Sequence, residues 1–144
     1  MNTKTSLQHV LDFHGSTTPG IVIGRYMMEK AKTGFSSDRL FHVIVETSKG
    51  LPDAVQILTG CTIGNGGLKL VNLGRYALSL YGRSDGKGIR AYLDPKKLDQ
   101  YKQIKGWLYK TTPEAAYNMQ ALIVEIHSAG TGIYSTKPVK MLPR

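Results

Sequence analysis

The stretch LKLVNLGRYALSLYGRSDGKGIRAYL, residues 68–93, decides the fold class. Residues 68–73 and 75–82 read as two strands around Gly74, with apolar side chains on both faces. Ser84-Asp85-Gly86 follows as a tight turn, because Asp-Gly supplies the positive φ that hairpin turns require. Residues 88–93 then pair back, so the reading is a three-stranded antiparallel meander.

Outward from this sheet the pattern changes to helices. Upstream, residues 4–13 place Leu7, Val10, Leu11 and Phe13 on one helical stripe, which His14-Gly15 stops. Thr18 as N-cap and Pro19 at the first helical position start a second helix to about Lys32. Phe41-His42-Val43-Ile44-Val45-Glu46-Thr47 is rich in β-branched residues and reads as a buried strand. A short helix over residues 53–59 closes at Gly60, and Gly64-Asn65-Gly66-Gly67 is a turn into the sheet.

Downstream, Asp94-Pro95 opens a basic helix that continues to about Tyr109. Thr112-Pro113-Glu114 opens another through Ile126, with Ala116, Met119, Leu122, Ile123 and Ile126 on one face. Residues 133–136 with Val139 make a last strand, interrupted or held to an edge by Pro138. Runs of helices and strands, not strict alternation, predict an α+β fold: a mixed or antiparallel sheet with helices packed on it. The 144 residues fit a single domain over 1–144, with no repeat and no linker.

Composition narrows the functional classes. No apolar run approaches the roughly 20 residues needed to cross a bilayer, so no membrane role is expected. The start of the chain leads into a patterned segment and not an apolar signal core, which implies a cytoplasmic address. Cys61 is the only cysteine, which excludes an internal disulfide and a multi-cysteine zinc site within one chain.

The formal charge is +9, which suggests a polyanionic partner, an acidic protein surface or a phosphate-bearing ligand. Lys96, Lys97, Lys102, Lys105 and Lys110, interleaved with Tyr101, Trp107 and Tyr109, could bind single-stranded nucleic acid. The same spacing describes a solvated helix with its aromatics turned inward, and this reading is preferred. A nucleic-acid partner is therefore not expected.

Of the four histidines, His9, His42 and His127 lie on regular elements and read as structural. His14 is different, since it lies in a glycine-flanked loop between two helices, where a side chain can face a cleft. Cys61 follows a helix C-terminus, an end that does not favour a thiolate. Read from its position alone, it is a small buried hydrophobe. Arg83, Lys87 and Arg90 around the Asp-Gly turn form a basic cluster able to meet an anion.

Several segments in order resemble the domain family of the formylmethanofuran dehydrogenase E-type chain. They are residues 13–20 (FHGSTTPG), residues 46–62 (ETSKGLPDAVQILTGCT), residues 64–68 (GNGGL) and residues 81–90 (YGRSDGKGIR). The resemblance is strongest over residues 7–93. The family's first motif usually reads Phe-His-Gly-His-x-Cys-Pro-Gly, so Ser16 stands where a histidine would be and Thr18 where a cysteine would be. Gly50 replaces a further cysteine. Only His14 and Cys61 match the expected metal ligands, and the C-terminal zinc-ribbon cysteines of some relatives are absent.

Stable zinc sites use three or four protein ligands, and neutral hydroxyls replace them poorly. The resemblance thus implies a degenerate site: His14 and Cys61 as remaining ligands, and a cleft lined by Ser16, Thr18, Asp53 and Gln56. Zinc or another transition metal is expected to need more than one chain. The resemblance also implies a homodimer, with a metalloenzyme partner or a small anionic ligand. The alternatives are an enzyme using Cys61 as nucleophile and His14 as base, or a basic nucleic-acid-binding module.

Overall fold

The computed structural model describes residues 19–35, 41–83, 85–109 and 118–140. The elements in chain order are α1 (Pro19–Thr33), β1 (Phe41–Val45), α2 (Leu51–Thr59), β2 (Leu68–Leu70), β3 (Ala77–Gly82) and β4 (Lys87–Leu93). A 3-10 turn (Pro95–Lys97), α3 (Lys102–Leu108), α4 (Met119–Ala129) and β5 (Tyr134–Lys140) complete them. The predicted helix over residues 4–13 lies outside the described residues.

One five-stranded sheet runs β2-β1-β3-β4-β5, mixed because β1 pairs β2 in parallel and every other pair is antiparallel. The α+β expectation holds, but the meander is corrected. β2 and β3 are not neighbours; β1 lies between them, pairing Val43 with Leu68 on one side and with Leu80 on the other. After β2 the chain follows the far end of β1, where Val71 N–H donates to Val45 and both Leu73 and Arg75 N–H donate to Glu46. Gly74, at φ 69°, then turns it across that end into β3. The glycine serves a crossover, not a hairpin.

α1 is the hub of the helical layer. Ile21, Val22, Ile23, Met27, Met28 and Ala31 are all buried, against the sheet, α2 and α4. Fully burying one such aliphatic side chain stabilises the fold by about 1.5–3 kcal/mol, so this helix anchors the core. Val43, Val45, Leu78, Leu80 and Ala91 meet it from the sheet. Tyr134, fully buried, donates its hydroxyl to the Ile23 carbonyl at 3.3 Å.

α1 and α2 approach closely because glycines face the contact. A Cβ on Gly20 would stand 2.3 Å from the Lys49 carbonyl oxygen, and one on Gly24 would stand 2.8 Å from Ala54 Cβ. Pro19 therefore enters α1 beside residues 49–50, at the N-terminal end of α2.

Several boundaries depart from the sequence-based expectation. The basic helix divides into the 3-10 turn and α3, because Leu98 turns into the core, fully buried, and Tyr101 N–H closes a turn on Leu98. The Asp94 cap is as expected and accepts from Lys96 N–H at 3.0 Å. α4 begins after Asn118, whose backbone is extended and whose side chain accepts from Ala121 N–H. The Thr112-Pro113-Glu114 start lies outside the described residues. β5 runs unbroken through Pro138 and lies at the sheet edge, the second of the two outcomes expected for this proline.

Candidate functional site

Cys61 follows α2 directly. Gly60, at φ 75°, ends the helix as predicted, and Thr59 Oγ1 donates to Val55 while accepting from Cys61 N–H at 3.0 Å. Asn65 ties the next turn together. Its Oδ1 accepts from Thr62 and Gly67 N–H, and its Nδ2 donates to the Gly60 carbonyl. The backbone of Gly67 packs on Cys61, where a Cβ would stand 3.2 Å from the cysteine Cβ.

The result is a cysteine held firmly and 9% exposed, among the core side chains. Its Sγ donates to the Phe41 carbonyl at 3.7 Å.

His14, Ser16 and Thr18 lie outside the described residues. Asp53 and Gln56 stand one turn apart on α2, partly exposed on a shared face. Asp53 is in the first turn of that helix, at the end where Pro19 enters. Cys61 lies beyond the other end. Nine helical residues separate the two ends, about 13 Å along the axis.

Gly50, at the Pro19 end, has φ 78°. A Cβ there would stand 2.8 Å from Ile21 N and 2.9 Å from the Gly20 carbonyl carbon. The position that carries a cysteine in the resembled motif is thus closed by the backbone of α1. Among the described residues, no group of three or more His, Cys, Asp and Glu side chains could hold a metal ion.

The basic cluster is divided. Arg83 is exposed after β3, and Lys87 is exposed at the start of β4. The hairpin turn between them is as expected: Gly86 has φ 72°, and Asp85 accepts from Lys87 N–H. Arg90 is three residues beyond Lys87, so the two side chains leave opposite faces of β4. Arg90 instead spans β3 to make two hydrogen bonds with Glu46, at 2.8 and 2.9 Å. The bridge crosses Ala77 and Ser79, both small and buried.

His42, read from the sequence only as a structural residue, belongs to the Cys61 end of the sheet. It pairs with Tyr81 across β1 and β3, edge to face with ring centroids 5.7 Å apart. Burial first, then the cations of Arg83 and Lys69, lower its pKa below the usual 6.5. Arg83 and Lys69 thus bring positive charge to the end of the sheet next to Cys61. Its signal in the sequence is the alternation of β1, which puts His42 on the face opposite Val43. His127 is structural, bonding Tyr26 Oη at 2.6 Å between α4 and α1.

Among the described residues of the basic stretch, Lys97 and Lys105 have partners within the chain. Lys97 donates to the Tyr134 carbonyl and Lys105 to Asp99, and Lys110 lies outside the described residues. The stretch forms no single cationic helix face, since it divides between two elements. No described helix is long and apolar enough to cross a membrane.

A helical layer on one five-stranded mixed sheet, with a lone cysteine after a short helix and an Asn-tied glycine turn, defines an α+β protein. Residues 13–142 match the family model described as FmdE, Molybdenum formylmethanofuran dehydrogenase operon, and the chain belongs to that family. A solved structure of a tungsten formylmethanofuran dehydrogenase FmdE-like protein from Syntrophus aciditrophicus superposes with a TM-score of 0.86 and 37% identity. The match covers 95% of this chain and 71% of that one.

A protein of Archaeoglobus fulgidus named as a probable S-adenosyl-L-methionine-binding protein is 37% identical over 112 residues. Those residues are 69% of this chain, and the chain spans only 31% of that relative's length.

Proposed function

We propose that this chain is a ligand-depleted member of the FmdE family, a cytoplasmic homodimer whose Cys61 end takes a small anionic ligand or docks on a metalloenzyme partner. One chain alone holds no stoichiometric metal. The observation that carries this reading is Gly50. The family's ligand position there is closed by backbone packing and stands a helix length from Cys61. Loss of the ligand is built into how α1 and α2 meet, and a single substitution does not reverse it.

The charge pattern supports the anion. Arg83 and Lys69 bear on His42 beside the Phe41 carbonyl that Cys61 contacts. The dimer rests on the sheet edge. Leu70, Val71 and Leu73 are exposed at 38%, 46% and 56% along β2 and its extension, and Ile63 is exposed nearby at 60%. An apolar edge strand favours pairing with another copy. The ligand in the Archaeoglobus relative's name belongs to a protein of which this chain spans under a third.

Elemental analysis of the purified full chain tests the reading. We expect well under one transition-metal ion per chain, unchanged in Cys61→Ser. One zinc or iron per chain that vanishes in Cys61→Ser overturns it.

A further inference from the structure

The opposite end of the sheet from Cys61 holds a concavity of about 420 Å³ that the family site does not use. It opens where β3 begins and β4 ends, closed by the 3-10 turn and the C-terminal end of α3. Arg75, Tyr76, Arg90, Tyr92, Leu108 and Tyr109 line it. Its size lies within the range of small-molecule sites, roughly 300–1,000 Å³.

Its chemistry has two parts. Three tyrosines supply flat apolar walls. Tyr92 is held by Arg90, whose Cζ lies 5.2 Å from the ring centroid, and by Lys137, whose Nζ lies at 5.4 Å. Tyr76 is braced by Trp107, with centroids 5.0 Å apart. Burial pushes the Tyr76 phenol up to about 12, so it stays neutral at physiological pH and does not oppose an anion.

The second part is charge. Arg75 is exposed at the rim, and among the described residues its guanidinium makes no hydrogen bond or ion pair. Arg90 and Lys137 add to it, and Glu46 offsets them on the Arg90 side. Aromatic walls with a surplus of cations fit neither an aliphatic ligand nor a cationic one.

We propose that this concavity binds a small molecule joining a flat aromatic ring to an anionic group, phosphate or carboxylate, as in a nucleoside monophosphate. The ring stacks between Tyr92 and Tyr109, an arrangement available to any flat π-face. The anion meets Arg75, whose planar fork bonds phosphate or carboxylate in two places. The site is independent of the metal question at Cys61.

Calorimetry with the full chain tests this, using AMP, adenosine and 4-hydroxybenzoate as probes. Trp107, the only tryptophan, reports from behind Tyr76. We expect AMP or 4-hydroxybenzoate to bind one per chain and change Trp107 emission, and the preference between them distinguishes phosphate from carboxylate. Arg75→Ala should weaken the anionic probe by at least about tenfold and leave adenosine within about twofold, the worth of a charge-assisted bond.

Tyr92→Leu should weaken both, and Arg75→Gln serves as a second variant if either loses the wild-type melting temperature. The proposal is overturned if neither anionic probe binds at millimolar concentration. It is also overturned if adenosine binds as tightly as AMP and 4-hydroxybenzoate does not bind, or if Arg75→Ala changes nothing.

Discussion

The Glu46–Arg90 bridge ties β1 to β4 across β3, and its removal should be felt by the whole sheet. The two side chains are 11% and 22% exposed, and the guanidinium makes two hydrogen bonds at 2.8 and 2.9 Å. Breaking a fully buried pair costs about 3–5 kcal/mol, whereas an exposed pair is worth under about 1. Partial exposure places Glu46→Gln between these, at about 2–3 kcal/mol. Burial of the guanidinium without its carboxylate accounts for most of it.

Arg90→Met keeps the apolar stem over Ser79 and should cost about as much, by stranding the Glu46 carboxylate. Because each single change already removes the bond, the double variant should be less destabilised than the sum, with a coupling of about 1.5 kcal/mol or more. Urea unfolding of the four proteins at one protein concentration measures this. A coupling below about 0.5 kcal/mol would refute the claim that the bridge holds the sheet.

Other consequences are as direct. Gly88→Ala puts a Cβ 1.9 Å from the Leu80 carbonyl oxygen, so it should cost more than about 3 kcal/mol or prevent folding, read from circular-dichroism melts. His42 has a folded pKa below its unfolded value of 6.5, so its neutral form is favoured by folding. That contribution is complete above pH 6.5 and is lost as pH falls through the folded pKa; His42→Gln should flatten this part of a stability–pH curve. Cys61 should react with a thiol reagent many times more slowly in the native chain than in urea, and equal rates would place the thiol outside the core. Leu73→Lys should shift the mass seen by light scattering from dimer toward monomer, and an unchanged dimer would place the interface elsewhere.

Where local chemistry and tertiary structure agree, the sequence is a sufficient guide. Pro19 opens α1, Gly60 ends α2, Asp94 caps the 3-10 turn and Asp85-Gly86 makes the hairpin, the last three through a contact within a few residues. The meander expectation fails because the strand that separates β2 from β3 lies some 25 residues upstream, and Gly74 looks the same in a hairpin as in a crossover. Leu98 cannot be foreseen as a core residue, since nothing local marks a break in the basic segment.

The departures from the resembled motif are legible in the sequence, at Ser16, Thr18 and Gly50, and the geometry of the candidate site is not. That Gly50 is closed by α1, and that Arg90 belongs to Glu46 and not to Arg83 and Lys87, depends on contacts between distant segments. The tyrosine-walled concavity draws on several separate elements and leaves no motif at all.

How tightly one chain holds zinc is the sharpest measure of whether the family's ion site is lost. Competition against a chromophoric chelator should give an affinity weaker than about 1 µM, or a free energy of less than about 8 kcal/mol, and neither His14→Ala nor Cys61→Ser should change it. One zinc per chain bound tighter than about 1 nM, and lost in either variant, would show that an intact ion site survives here.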